Sequence, residues 1–364
     1  MPLVAYKGVH GNTDYPHHFA FFSALRERGI LNEVQFALDP VPLMDVQYCH
    51  KLIAEFPELC MASSVSLPRK MVELLRTNLN RGYRIPAFVD YKWDAVIEGP
   101  GGRINHTYCK TDVFRLYPNT KHRAIIFHSI EKKALENATV RESVASCELI
   151  VARTSASAAC ALASGAKNVI TSMDIVWRNT PRDSDHLPGL AVALRIPQEG
   201  ATDEYLERLR GIVRWIAELH ETVDFVRIEK PLGPEMAEEG YGTPRIPHTR
   251  IFGDDGMYEP FEHIREAIVS CRLHTTIIAL LNGNRRILQF QVESGTNKVR
   301  DMLKDIGLIS IPIFSVNELS QETIEQFLNN PVVLADVEVQ SAFKTAREKV
   351  EVGLDAFEEW IRRF

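Results

Sequence analysis

Three residues of this sequence could act together on one small anion: Arg272, His274 and Lys298. An arginine offers a planar fork of donors that suits a carboxylate or phosphate, and a lysine a point charge. An imidazole, with an ordinary pKa near about 6.5, can both give and take a proton at neutral pH. Each also has a plainer reading: a surface Arg, a core His, a solvated Lys. Their surroundings draw them together. Ile268–Cys271 ends an apolar run of the length of a buried parallel strand. Leu273, Ile277, Leu280 and Leu281 then form a helical stripe, with Gly283 at the expected C-cap. Ile287–Val292 reads as the next buried strand, and Gly295 loosens a turn. Lys298 opens a second helix, with Val299, Met302, Leu303 and Ile306 on its inner face. In a β-α-β-α unit the strand C-termini share one edge, where open α/β sheets bind ligands. Neighbouring strands there lie roughly 4.8 Å apart, and two helix N-termini add partial positive charge.

Arg153 occupies a similar position, after a strand over 148–153 and before Thr154, which can cap the small-residue helix 155–164 ending at Gly165. A short strand over 168–171 follows, with Asp174 just beyond it. The alternative for Arg153 is a salt-bridged surface residue. Gly99-Pro100-Gly101-Gly102 follows a strand over 94–98, and such glycines either let backbone approach a ligand or make a tight turn. Asp14 is a candidate cap for a helix over 16–28 that has Pro16 in its first turn and Gly29 beyond its end. Asp254-Asp255 could hold a metal, but a glycine-flanked acidic turn is the simpler reading.

The 364 residues allow two or three domains with sizeable cores. A net charge of −6 argues against a surface that wraps polyanions, so no nucleic-acid partner is expected. The six cysteines form no CxxC pair and no zinc spacing, which suits reduced thiols and a cytoplasmic protein. No apolar run reaches bilayer length, and the first residues, MPLVAYKG, are too short an apolar stretch for a signal peptide.

Further strands are expected at 3–7, 33–38 and 123–128, with a loop over 8–14 and helices around 44–56 and 70–79. Residues 179–188 read as a linker, followed by strand 190–196, helix 203–219 and strand 223–228. Five glycines and five prolines within 231–260 suggest a long functional loop. Strand 311–314 and helix 318–328 precede a final helix from about Val339. Its stripe of Phe343, Ala346, Val350, Leu354, Phe357, Ile361 and Phe364 packs on the domains or forms a dimer contact. The fold class is α/β: two Rossmann-like domains, 1–178 and 189–336, facing across a cleft, and a C-terminal helix within 337–364.

Arg272-Leu273-His274, Ala279-Leu280, Gly283, the next apolar strand, Lys298 and the run Met302–Leu308 resemble the C-terminal signature of the polysaccharide pyruvyl transferase family. Gly11-Asn12-Thr13-Asp14 is a partial match to that family's first segment, and the glycine-rich turn and Arg153 resemble its middle part. Departures stand at Thr13, Pro100, Thr154 and Thr275. The resemblance implies a glycosyltransferase-B-like architecture and transfer of enolpyruvyl from phosphoenolpyruvate to sugar hydroxyls, forming a pyruvate ketal on a glycan or its precursor. The acceptor is a sugar or glycan, lipid-linked or not. His274 and Arg272 then carry the catalysis. Arg153, Arg272, Lys298, Gly101 and Gly102 bind substrate, with Gly101 and Gly102 on the acceptor side, and no cofactor or metal is needed. Two other classes remain: a nucleotide-sugar-dependent glycosyltransferase of the same architecture, and a non-catalytic binding protein of this fold.

Overall fold

The computed structural model describes residues 1–8, 11–39, 46–61, 92–105, 109, 111–115, 117, 119–181, 184–194, 204, 207–208, 211–212, 215–216, 222–226, 249–252, 258–291, 298–315, 318 and 320–364. The chain divides into two compact units, one of Met1–Arg178 with Ala346–Phe364, the other of Asn179–Thr345.

In the first unit the order is β1 (Leu3–Lys7), α1 (Gly11–Glu27), β2 (Gln35–Leu38), α2 (Val46–Glu55), β3 (Cys60–Met61), β4 (Ala95–Glu98), β5 (Gly101–Ile104), β6 (His122–Ile130), α3 (Ala138–Ala145), β7 (Leu149–Ala152), α4 (Ser155–Ala163) and β8 (Val169–Thr171). The sheet runs β3-β2-β1-β4-β6-β7-β8, with β5 added beside the far half of β6. All of its pairings are parallel. Strands buried on both faces lose the polar alternation of a half-exposed sheet, which is why β4 reads AVIE and β7 LIVA. The direction of strand addition reverses between β1 and β4, where Lys7 stands level with Glu98.

The second unit comprises β9 (Leu190–Ala193), helical residues within 204–216, β10 (Val223–Val226), β11 (Thr249–Phe252), β12 (Ala267–Ser270), α5 (Leu273–Leu281), β13 (Ile287–Gln291), α6 (Lys298–Asp305), β14 (Ile313–Ser315) and α7 (Gln321–Asn329). Its parallel sheet runs β11-β10-β9-β12-β13-β14 and reverses between β9 and β12, where Ala193 pairs with Ser270. Leu190, Val192, Val223, Phe225, Val269 and Leu288 form its core with Ile212 and Ile216.

The final helix, α8 (Asp336–Ile361), passes from the second unit into the first. Phe343, Ala346, Val350, Leu354, Phe357 and Ile361 are buried and Phe364 is half-buried, so most of that stripe packs within the chain. Within the first unit, Phe357 meets Phe21 edge-on with ring centroids 5.3 Å apart. Trp360 Nε1 donates to Glu148 Oε2 at 3.0 Å. Gly353 lets the helix lie close to the sheet: an added Cβ would stand 2.6 Å from Ser172 Oγ and 2.8 Å from Val151. Arg28 fastens the helix through Glu351, Asp355 and Glu358. Among the described residues, no helix is long and apolar enough to cross a membrane.

Several expectations are corrected. Helix α1 begins at Gly11, so 11–14 are helical, Asp14 is not its cap, and Pro16 lies inside it. A proline there removes one backbone hydrogen bond, and the surrounding buried residues Phe21, Phe22 and Leu25 carry the helix past the loss. Gly101 and Gly102 belong to β5 rather than to a turn, because the far end of β6 offers a ladder to pair with. Residues 231–260 are not all loop: they contain β11 and a 3-10 turn over Glu259–Phe261. Strand β14 runs Ile313–Ser315, two residues later than expected at its start. Helix 70–79, Gly295 and Asp254-Asp255 lie outside the described residues.

Candidate functional site

The second unit's switch point is built around Arg272. The residue is the N-cap of α5 in extended conformation, and its side chain makes no capping bond across the helix end. Its backbone is held on both sides by neutral hydroxyls. Arg272 N–H donates to Ser270 Oγ at 3.0 Å. Its carbonyl accepts from Thr275 Oγ1 at 3.0 Å and from Thr276 Oγ1 at 2.8 Å. Ser270 and Thr275 are joined to each other at 2.6 Å, and Gln289 Nε2 donates to Thr276 Oγ1. Ser270, Thr275, Thr276 and Gln289 are buried, while Arg272 and His274 are half-buried. The sequence folds this way because Ser270 ends a strand and two threonines fill the first helical turn, where their hydroxyls can return to the carbonyl four residues back or nearer. A cation held at a helix N-terminus by such a frame is suited to a phosphate or carboxylate. Lys298 is the first residue of α6, after the adjacent strand, and is half-buried. Gly283, at φ 90°, ends α5 in the left-handed form as expected.

At the first unit's switch point a Lys–Glu pair fills the edge. Lys7 Nζ lies 3.1 Å from Glu98 Oε2, and the Lys7 ammonium also donates to the Val113 carbonyl. Gly99 follows so closely that a Cβ would meet the Tyr6 ring at 2.6 Å. In β6 the register against β7 slips between Ile126 and His128, and Phe127 takes φ 49°. Positive φ at a bulky residue is strained, and here it marks a bulge. His128, just past it, donates from Nδ1 to the Ser129 carbonyl at 2.8 Å and lies 3.9 Å from Glu98. Buried Arg153, at the end of β7, bonds Ser129 Oγ and lies 3.3 Å from Asp174 Oδ2. Asp174 also accepts from Val176 N–H at 3.1 Å and meets His17 Nε2 at 3.0 Å.

Arg272, His274 and Lys298 thus belong to one unit and Arg153, Gly101 and Gly102 to the other. Arg153 is a buried residue rather than an exposed one, and its guanidinium lies beside the buried Asp174 carboxylate. Thr154 caps α4 as expected, accepting from Ser157 N–H at 3.1 Å. Lys7, His17, Glu98, His128 and Gln289 were not singled out in the sequence. Each lies in or beside an apolar stretch, and the lone signal was that strands β1, β4, β6 and β13 carry a polar residue near their C-terminal ends.

No family model matches the sequence, and no curated protein sequence matches it. Solved structures do. UDP-GlcNAc 2-epimerase from Neisseria meningitidis bound to UDP-GlcNAc aligns over 100% of both chains at 11% identity and TM-score 0.56. A putative UDP-N-acetylglucosamine 2-epimerase from Listeria monocytogenes aligns over 100% of this chain and 98% of its own at 10% identity and TM-score 0.58. The glycotransferase of kitacinnamycin aligns over 99% of both chains at 10% identity and TM-score 0.50. At these identities the likeness establishes the fold, of the glycosyltransferase-B type, with two parallel α/β sheets.

Proposed function

We propose that this chain is a nucleotide-sugar-dependent enzyme that transfers a glycosyl group to a sugar or glycan acceptor. The observation that carries the reading is the framed Arg272 at the N-terminus of α5, on the switch point of a sheet. It gains support from the full-length likeness to a UDP-GlcNAc-bound structure. In the reaction the bond from the sugar's anomeric carbon to the diphosphate breaks while the acceptor oxygen bonds to that carbon and its proton departs to a base. Negative charge grows on the leaving diphosphate, which Arg272, the α5 amides and Lys298 would stabilise.

A second reading, pyruvyl transfer from phosphoenolpyruvate, is favoured by Arg272-Leu273-His274 standing together at the same helix start. There two acceptor hydroxyl oxygens bond to the donor's central carbon as they lose their protons, one proton ends on the terminal methylene carbon, and phosphate leaves with the other. His274 would handle the proton. One experiment separates the readings: calorimetric titration of the protein with UDP-GlcNAc and with phosphoenolpyruvate, then mass spectrometry of candidate acceptors incubated with each. Binding of UDP-GlcNAc and a glycosyl mass increment are expected. Binding of phosphoenolpyruvate alone with a pyruvate-ketal increment would replace the first reading by the second. His274→Ala would then lower turnover by about 10²–10⁴.

A further inference from the structure

Gln289 lies on β13 beside Ser270, fully buried, with its amide against the first turn of α5. The orientation of that amide follows from Thr276. The Thr276 hydroxyl has one proton and places it on the Arg272 carbonyl at 2.8 Å, so toward Gln289 it can only accept. Nε2 must therefore face Thr276, and Oε1 is the other end. Among the described residues Oε1 has no hydrogen-bond partner. A buried acceptor left unmade is destabilising, and a leucine or methionine would fill a parallel strand without that cost. The remaining polar groups of the frame, Ser270, Thr275, Thr276 and the Arg272 backbone, are all bonded. The unmet capacity is thus one acceptor, next to a helix start and a cation suited to an anion.

We infer that Gln289 Oε1 accepts a hydrogen bond from an O–H or N–H of the ligand whose phosphate is held at the N-terminus of α5. This rests on the nucleotide-sugar reading and deepens it. An acceptor repels bare phosphate oxygens and has nothing to take from phosphoenolpyruvate, which is ionised near neutral pH and carries no O–H or N–H. A nucleotide sugar carries several hydroxyls and a base N–H beside its diphosphate. Gln289 is then a specificity-determining residue: the cation and helix amides bind the anion, and the glutamine selects an anion that brings a donor with it.

The test is titration of the full chain, wild type and Gln289→Met, with UDP-GlcNAc and with inorganic pyrophosphate. Methionine keeps the length and apolar contacts while removing both polar atoms. The expected result is a loss of about tenfold to a hundredfold in UDP-GlcNAc affinity with pyrophosphate affinity nearly unchanged. Equal UDP-GlcNAc affinity in the two proteins would overturn the inference and leave the nucleotide-sugar reading intact. Equal losses for both ligands would reduce Gln289 to a prop for Thr276 and also overturn it. Failure of the wild type to bind UDP-GlcNAc would remove the functional reading itself. If Gln289→Met does not fold, the wild type decides the matter with UDP-GlcNAc analogues in which each sugar O–H or the base N–H is blocked singly. One position should cost about tenfold, and no loss at any position would count against the inference.

Discussion

The two sheets of this chain reverse direction in the same way, yet their switch points are furnished oppositely. In the first unit the edge is occupied by charges that neutralise one another: Lys7 with Glu98, and Arg153 with Asp174 beside His17. All five side chains are buried. At the second unit's switch point the buried groups Ser270, Thr275, Thr276 and Gln289 are neutral, and the cations Arg272 and Lys298 are half-buried at helix starts. Buried opposite charges hold each other because each would be costly alone. A half-buried cation at a helix start, beside a frame of neutral hydroxyls, stands where an arriving anion would be held. Charge at a strand end therefore does not by itself mark a binding site; the burial of the charge and the groups around it differ between the two edges.

The sharpest way to break this contrast is to remove the shared carboxylate in the first unit. Asp174→Ala leaves Arg153 buried without its counter-ion and should destabilise that unit by about 3–5 kcal/mol. Denaturant unfolding checks it, and an unchanged midpoint would mean that the pair contributes little. Arg272→Ala should do the opposite. Its side chain is half-buried and its backbone frame survives the change, so the unfolding midpoint should shift far less. Affinity for UDP-GlcNAc should fall by about one to two decades, the value of a charge-assisted contact of about 1.5–3 kcal/mol.

A neutral contact gives a smaller scale against which to set both. Thr154→Ala removes the cap of α4 and should cost about 1 kcal/mol of stability, with ligand affinity untouched. The smallest effect belongs to ion pairs near the surface of the first unit. The hydrogen bond from Arg28 holds Glu358 below its ordinary range, and that from Arg178 does the same for Glu27. A carboxyl group with a lowered folded pKa stabilises fully above its unfolded value, near about 4.3. That contribution fades as pH falls through the lower folded value. Unfolding followed from pH 7 to pH 3 should therefore show a modest loss confined to the region below about pH 4. Added salt at pH 7 should reproduce part of it, because such exposed pairs contribute only about 0–1 kcal/mol each.

How much was legible follows from the range of the forces involved. The repeat of Leu273, Ile277, Leu280 and Leu281 and the glycine at 283 define α5 within ten residues of sequence, and Thr154 signals α4 by its hydroxyl alone. Arg272 and Lys298 could be placed at neighbouring helix starts because β-α-β-α connectivity fixes which end of a parallel strand a residue occupies. The start of α1 was misjudged because Pro16 signals a first turn, whereas the packing of Phe21 and Phe22 against Tyr6 decides where the helix lies.

By itself, then, the sequence determined the alternation of strands and helices, the caps, and the cations that stand at helix starts. These depend on neighbours a few residues away. Only the tertiary structure decided which distant partners the buried charges of the first unit meet. His17 meets Asp174 across 157 positions and Lys7 meets the Val113 carbonyl across 106, separations at which no local pattern records a partner. The same holds for Gln289, which reaches Thr276 only because β13 pairs with β12. Its unmet oxygen is a property of three elements packed together, and no single stretch of the chain carries it.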